Sequence, residues 1–123
     1  MSYTVVFYED KNGNSKLIDT IVQLKDKGKT SKDARIQCQQ IINYIDLLAE
    51  NGLDLPTIML KHIEKDIWEL RPGNNRILLF SYVDGTFVLL HMFRKKTQKT
   101  PEREIKRARN ERESWISRVG DKK

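Results

Sequence analysis

Two arginines, two lysines and a glutamate fall where neighbouring strands would end. Arg71 closes the run Asp66 to Arg71, and Arg76 opens the run Arg76 to Val83. Between them lies Pro72-Gly73-Asn74-Asn75, a strong turn sequence. A hairpin there brings both guanidinium groups to one edge of a sheet. Lys95 and Lys96 follow the run Thr86 to Phe93, which places them beside Arg76, and Glu69 shares a strand face with Arg71. Like charges held together cost free energy unless an anion or a carboxylate lies between them. A guanidinium fork suits a phosphate. The chemistry open to such a cluster is grip and charge stabilisation of a phosphodiester. On composition alone, the simpler reading is a set of solvated strand-end charges.

Other chemistries find no support. The chain has no Gly-rich phosphate loop, no His-Glu-x-x-His, no Cys-x-x-Cys and no Gly-x-Ser-x-Gly. Its two histidines, His62 and His91, lie far apart, and the acidic residues lack a magnesium-binding spacing. No metal and no cofactor are expected. His91 falls among Phe87, Leu89 and Phe93 by alternation, which favours a hydrogen-bonded core histidine over a catalyst. The single cysteine, Cys38, sits on an apolar helical stripe and reads as core. No window approaches the ~18 apolar residues of a membrane span. The start Met-Ser-Tyr-Thr-Val-Val-Phe-Tyr lacks the features of a signal peptide. The expectation is one soluble cytoplasmic domain over residues 1–123.

The elements that would position the cluster follow from periodicity. Tyr3 to Tyr8 reads as a strand and Asp10 to Asn14 as a turn. A short helix begins near Ser15, with Leu17, Ile18, Ile21 and Leu24 on one face and Gly28 as its stop. A longer helix takes Thr30 as N-cap, with Asp33 completing a weak capping box. Its stripe is Ala34, Cys38, Ile41, Ile42, Ile45, Leu48 and Ala49, and Gly52 ends it. Ile58 to Ile63 reads as a short strand or an irregular connection. Then come Asp66 to Arg71, Arg76 to Val83 and, after the hairpin signal Asp84-Gly85, Thr86 to Phe93. The strands read as a meander with helices packed on one face. Thr100-Pro101-Glu102 opens a last helix, Thr100 as N-cap and proline in first position.

Net charge is +6, and its distribution is uneven. Residues 94–123 carry twelve basic and five acidic side chains, while residues 1–93 are close to neutral. A basic segment on a folded domain suits a polyanion or an acidic partner, though a solvated helix is the commoner meaning of such a run.

Three segments, taken together, resemble a known family. They are Ile67-Trp68-Glu69-Leu70-Arg71, Asn75-Arg76-Ile77-Leu78-Leu79-Phe80, and Leu90-His91-Met92-Phe93-Arg94-Lys95-Lys96-Thr97-Gln98-Lys99-Thr100-Pro101. In this order they resemble the phage-derived Gp49-like, HigB-type toxins of the RelE/ParE superfamily. The resemblance implies an α+β, RelE-like fold, with an N-terminal strand and two helices on a small, mainly antiparallel sheet and a basic C-terminal helix. It implies the toxin of a type II toxin–antitoxin pair, acting as a ribosome-dependent messenger RNA endoribonuclease. The partners implied are a HigA-type helix-turn-helix antitoxin, in a possible heterotetramer, and the ribosome with its message.

Carried over by position, the phosphate-contacting arginine is Arg76, the preceding basic residue is Arg71, and the basic pair is Lys95 and Lys96. Lys61, Arg94, Lys99, Arg103, Lys106 and Arg107 are the expected RNA and ribosome contacts. Such a site needs no metal: a ribose 2′-hydroxyl attacks the adjacent phosphorus, and the enzyme moves two protons and stabilises phosphoryl charge. Some relatives use a histidine or tyrosine near the C-terminus for proton transfer. This chain has no tyrosine after Tyr82, and His91 lies inside a strand. Lys95 or Lys96 is then the candidate base, with Glu69 the carboxylate alternative; Lys61 and His62 could reach the same face. Two other readings stay open: a ParE-like gyrase inhibitor without enzymatic activity, and a phage accessory nucleic-acid-binding module.

Overall fold

A computed structural model describes residues 2–120. The order is β1 (Thr4–Phe7), α1 (Lys16–Lys27), α2 (Lys32–Asn51), a single 3-10 turn (Gly52–Asp54), β2 (Leu60–Glu64), β3 (Ile67–Leu70), β4 (Asn75–Ser81), β5 (Thr86–Arg94) and α3 (Glu102–Val119). The five strands form one sheet in the order β1-β5-β4-β3-β2. β2 to β5 are an antiparallel meander, and β1 joins β5 in parallel after the chain has passed through α1 and α2. This is the α+β arrangement that the resemblance implies, down to the C-terminal helix. No helix among the described residues is long and apolar enough to cross a membrane.

The helices do not all pack on one face, as the meander reading has it. Leu17 of α1 and Ile41 and Leu48 of α2 meet Leu70, Ile77, Leu79 and Leu89 on one side of the sheet. Ala108 of α3, with Trp115 and Ile116, meets Ile67, Leu78, Phe80, Val88 and Leu90 on the other. The near-continuous apolar sequence of β4 reports this directly: a strand covered on both faces loses the apolar–polar alternation of a half-exposed one.

β5 carries an irregularity that alternation misses. Leu78 pairs with His91, and the next residue, Leu79, pairs with Leu89. Leu90 is the extra residue of a β-bulge, which shifts the facing of everything after it. Phe87 and Leu89 therefore face α1 and α2, whereas His91 and Phe93 turn towards α3.

Two helix starts sit one residue later than their signals suggest. Ser31, not Thr30, caps α2, its Oγ accepting from the Ala34 N–H at 3.2 Å. Thr30 instead donates its hydroxyl back to the Lys27 carbonyl. Ser31→Ala is expected to lower stability by about 1 kcal/mol, and Thr30→Ala by a few tenths at most, in chemical denaturation. At α3 the N-cap position belongs to Pro101, and the Thr100 hydroxyl is engaged elsewhere.

Candidate phosphate-binding pocket

The α3 face of the sheet ends in a small pocket beside the β4 start. Glu69, Arg76, Phe93, Lys95 and Lys96 line it, together with the segment Thr97 to Pro101 that leads into α3. Register explains the grouping. Glu69 on β3 and Arg76 on β4 point to the same face as Ile67 and Leu78, and Arg76 lies directly across from Phe93 on β5. Lys95 then leaves the sheet, its N–H donating to the Asn74 carbonyl at 2.8 Å. The turn between Arg71 and Arg76 is held tightly. Gly73 adopts φ +61, and a Cβ there would lie 2.5 Å from Gln40 Oε1 on α2.

Glu69 is the buried centre of this arrangement, with 1% of its surface exposed. Its Oε1 accepts from Arg71 Nε at 3.0 Å, and its Oε2 accepts from the Thr100 hydroxyl at 2.7 Å. Both carboxylate oxygens are thus engaged, which a buried carboxylate requires. Arg71 is not among the residues lining the pocket; it reaches the pocket through Glu69. Thr100 has no signal in the sequence beyond its helix-cap pattern, because its partner is thirty-one positions away. The bond fastens the lysine-bearing segment to the sheet. Thr100→Val keeps the shape but leaves Glu69 Oε2 without a donor. It is expected to cost roughly 1–3 kcal/mol in denaturant unfolding, with Thr100→Ser close to wild type.

Arg76 donates from Nη1 to the carbonyls of Gly73 and Asn75, at 2.8 and 2.9 Å. Burial depresses its pKa from the ordinary arginine value, and the positive charge of Arg71 depresses it further; Glu69 opposes both. Electrostatically, then, the pocket holds the Arg76 guanidinium, repelled by that of Arg71 behind it, one carboxylate already shared, and three lysines on its rim. An incoming anion relieves that repulsion.

The other sequence-selected residues divide between the two faces. Lys61 is the direct cross-strand partner of Glu69 and extends the basic face to the edge strand. His62 pairs with Trp68 on the opposite face, its ring 4.7 Å from the indole and its Nε2 2.7 Å from the Lys65 carbonyl. It does not join Lys61 at the pocket. Lys99 lines the pocket. Arg94 turns the other way and donates to Gln37 Oε1 on α2 and to Asn75 Oδ1.

On α3, Arg103 and Lys106 are exposed, while Arg107 donates to Glu111. Arg109 chelates Glu64 at 2.7 and 2.8 Å, and Arg112 binds Asp66 at 2.8 to 3.0 Å. The Arg109 hydrogen bonds hold the Glu64 carboxyl below its ordinary range. Much of the helix's positive charge is therefore matched by carboxylates at the end of β2 and in the turn that follows, forty-five or so positions away.

His91 is a core residue, 2% exposed. Its Nδ1 lies 2.6 Å from Glu111 Oε1 and its Nε2 3.0 Å from Glu104 Oε1, so the ring bridges two carboxylates of α3. Cys38 is buried as well.

No curated protein matches this chain. A family model described as "Phage derived protein Gp49-like (DUF891)" matches residues 19–113, a span that includes every residue lining the pocket. With more than three-quarters of its length matched, the chain belongs to the phage-derived Gp49-like family.

Proposed function

We propose that this protein is a HigB-type toxin of the RelE/ParE superfamily, a messenger RNA endoribonuclease acting on the ribosome. The observation that carries this reading is the pocket itself. Arg76, Lys95, Lys96 and Lys99 surround a carboxylate–arginine pair on one face of the sheet. A phosphodiester is the ligand whose charge and shape fit that set.

The reaction is a transfer within the RNA. The 2′-oxygen bonds to the adjacent phosphorus and the 5′-oxygen leaves, giving a 2′,3′-cyclic phosphate and a free 5′-hydroxyl. One proton leaves the attacking hydroxyl and one reaches the departing oxygen. Arg76 stabilises charge on the phosphoryl oxygens, with Arg71 behind it. Lys95 and Lys96 are the candidates for proton transfer. Glu69, with both oxygens occupied, serves by orienting Arg71 and by anchoring Thr100. Lys61, Arg103 and Lys106 extend the basic surface on which ribosomal RNA would rest.

Control by a HigA-type helix-turn-helix antitoxin, in a heterotetramer or a simpler assembly, belongs to the same proposal, as does action in the cytoplasm. Induction of the protein in growing cells tests the reading. Incorporation of labelled methionine is expected to fall within minutes, ahead of any change in plasmid supercoiling. The opposite order favours a gyrase inhibitor, and no effect on either favours an accessory nucleic-acid-binding role.

A further inference from the structure

The α1–α2 hairpin lies on the face of the sheet opposite the pocket, and its outer side is not covered. Leu17, Ile21 and Leu24 of α1 point into the core. Ile18 and Val22 point away, 37% and 59% exposed, and on α2 Ile42 is 39% exposed. A groove of about 370 Å³ runs between the two helices, lined by Lys25, Gly28, Lys29, Arg35, Cys38, Gln39 and Ile42. Val22 and Ile18 do not line the groove but lie on the same stripe of α1, one and two turns before Lys25.

The groove thus has an apolar floor and a basic end. Residues 25–35 hold five cations and two carboxylates. Of those carboxylates, Asp26 makes an exposed pair with Lys29 at 3.1 Å, and Asp33 accepts from Gln37. An exposed pair of this kind is easily exchanged for another partner. Arg35 donates to the Gly28 carbonyl at 2.8 Å, which holds its guanidinium at the end of the groove. No carboxylate lines the groove.

We infer that this groove docks an amphipathic helix of a partner protein, its apolar ridge on Ile18, Val22 and Ile42 and its acidic flank on Lys25, Lys29 and Arg35. Ile18 and Val22 lie at i and i+4 on α1 and Ile42 lies on α2, so exposed apolar side chains from both helices can meet the apolar ridge of a docking helix. The one-signed rim selects an acidic flank. A nucleic acid would use the rim but gain nothing from the strip. Because groove and pocket lie on opposite faces, the proposal goes beyond the nuclease reading and stands without it.

The test is an NMR titration of the isotope-labelled full chain. One probe is a synthetic helical peptide with leucines at i, i+4 and i+7 flanked by glutamates. The second has the same leucines flanked by lysines, and the third is a short uridine oligonucleotide. The acidic peptide is expected to shift amides within residues 18–42 and to bind about tenfold more tightly than the basic one. The exposed-site variant Val22→Asp/Ile42→Asp should weaken it at least tenfold, and Lys25→Glu/Lys29→Glu should reverse the preference between the peptides. Equal affinity for the two peptides, shifts confined to other regions, or no binding at millimolar peptide would overturn the inference. So would an oligonucleotide that gives the same shifts and is indifferent to Val22→Asp/Ile42→Asp.

Discussion

Arg76→Ala is expected to reduce message cleavage by at least about 100-fold, the scale seen when one donor to a developing phosphoryl or acyl oxyanion is removed. The variant should fold. Among the described residues the Arg76 side chain hydrogen-bonds to carbonyls of its own turn, and the strand behind it is held by Ile77, Leu78 and Leu79. Thermal unfolding alongside the cleavage assay separates the two effects. Arg76→Lys should recover part of the rate and remain about tenfold low, since an ammonium keeps the charge but not the planar fork. Lys95→Ala and Lys96→Ala should each cost less than Arg76→Ala, because neighbouring lysines on the same rim can share a role.

The second large effect concerns stability. His91→Leu removes the bridge between β5 and α3 and leaves Glu104 and Glu111, 15% and 12% exposed, facing an apolar side chain. Removing the buried partner costs both carboxylates a short hydrogen bond, and although Arg107 still pairs with Glu111 at 3.2 Å, the expected loss is about 3 kcal/mol. That corresponds to a fall in melting temperature of roughly 10 °C for a chain of this size. Replacing Glu111 as well, in His91→Leu/Glu111→Leu, should recover part of the loss by removing one stranded carboxylate. Cleavage per folded molecule should stay within about threefold of wild type, because His91 is committed to α3 and does not line the pocket. A catalytic histidine would give the opposite pattern, with stability held and turnover lost.

Local signals carried most of the fold, and the failures share one cause. The helical stripes through Leu17 and Ile41 and the strand runs of β3 to β5 mark the elements, because burial imposes its period on neighbouring residues. Alternation failed in β5 because a bulge at Leu90 depends on the partner strand, not on β5 itself. The side of the sheet taken by α3 was equally hidden. It depends on Arg109 and Arg112 finding Glu64 and Asp66, and on His91 finding Glu104 and Glu111.

The candidate site followed the same pattern. Arg76, Lys95 and Lys96 were legible because a turn and a strand end place them in sequence order. The role of Glu69 was not. In the sequence it is a carboxylate among cations, a possible base; in the fold its two oxygens are bound by Arg71 and by Thr100. The basic helix shows why charge counts overstate an RNA-binding surface. A run of arginines is read as free until the carboxylates that fold against it are known, and here those carboxylates lie on β2 and in the turn that follows it.

The most direct test of the account is primer extension on a defined message translated in a purified system, with wild-type protein and Arg76→Ala side by side. The account expects new message ends that appear only when ribosomes are present and that vanish in the variant. Intact message with wild-type protein, or the same ends produced at full yield by Arg76→Ala, would contradict it.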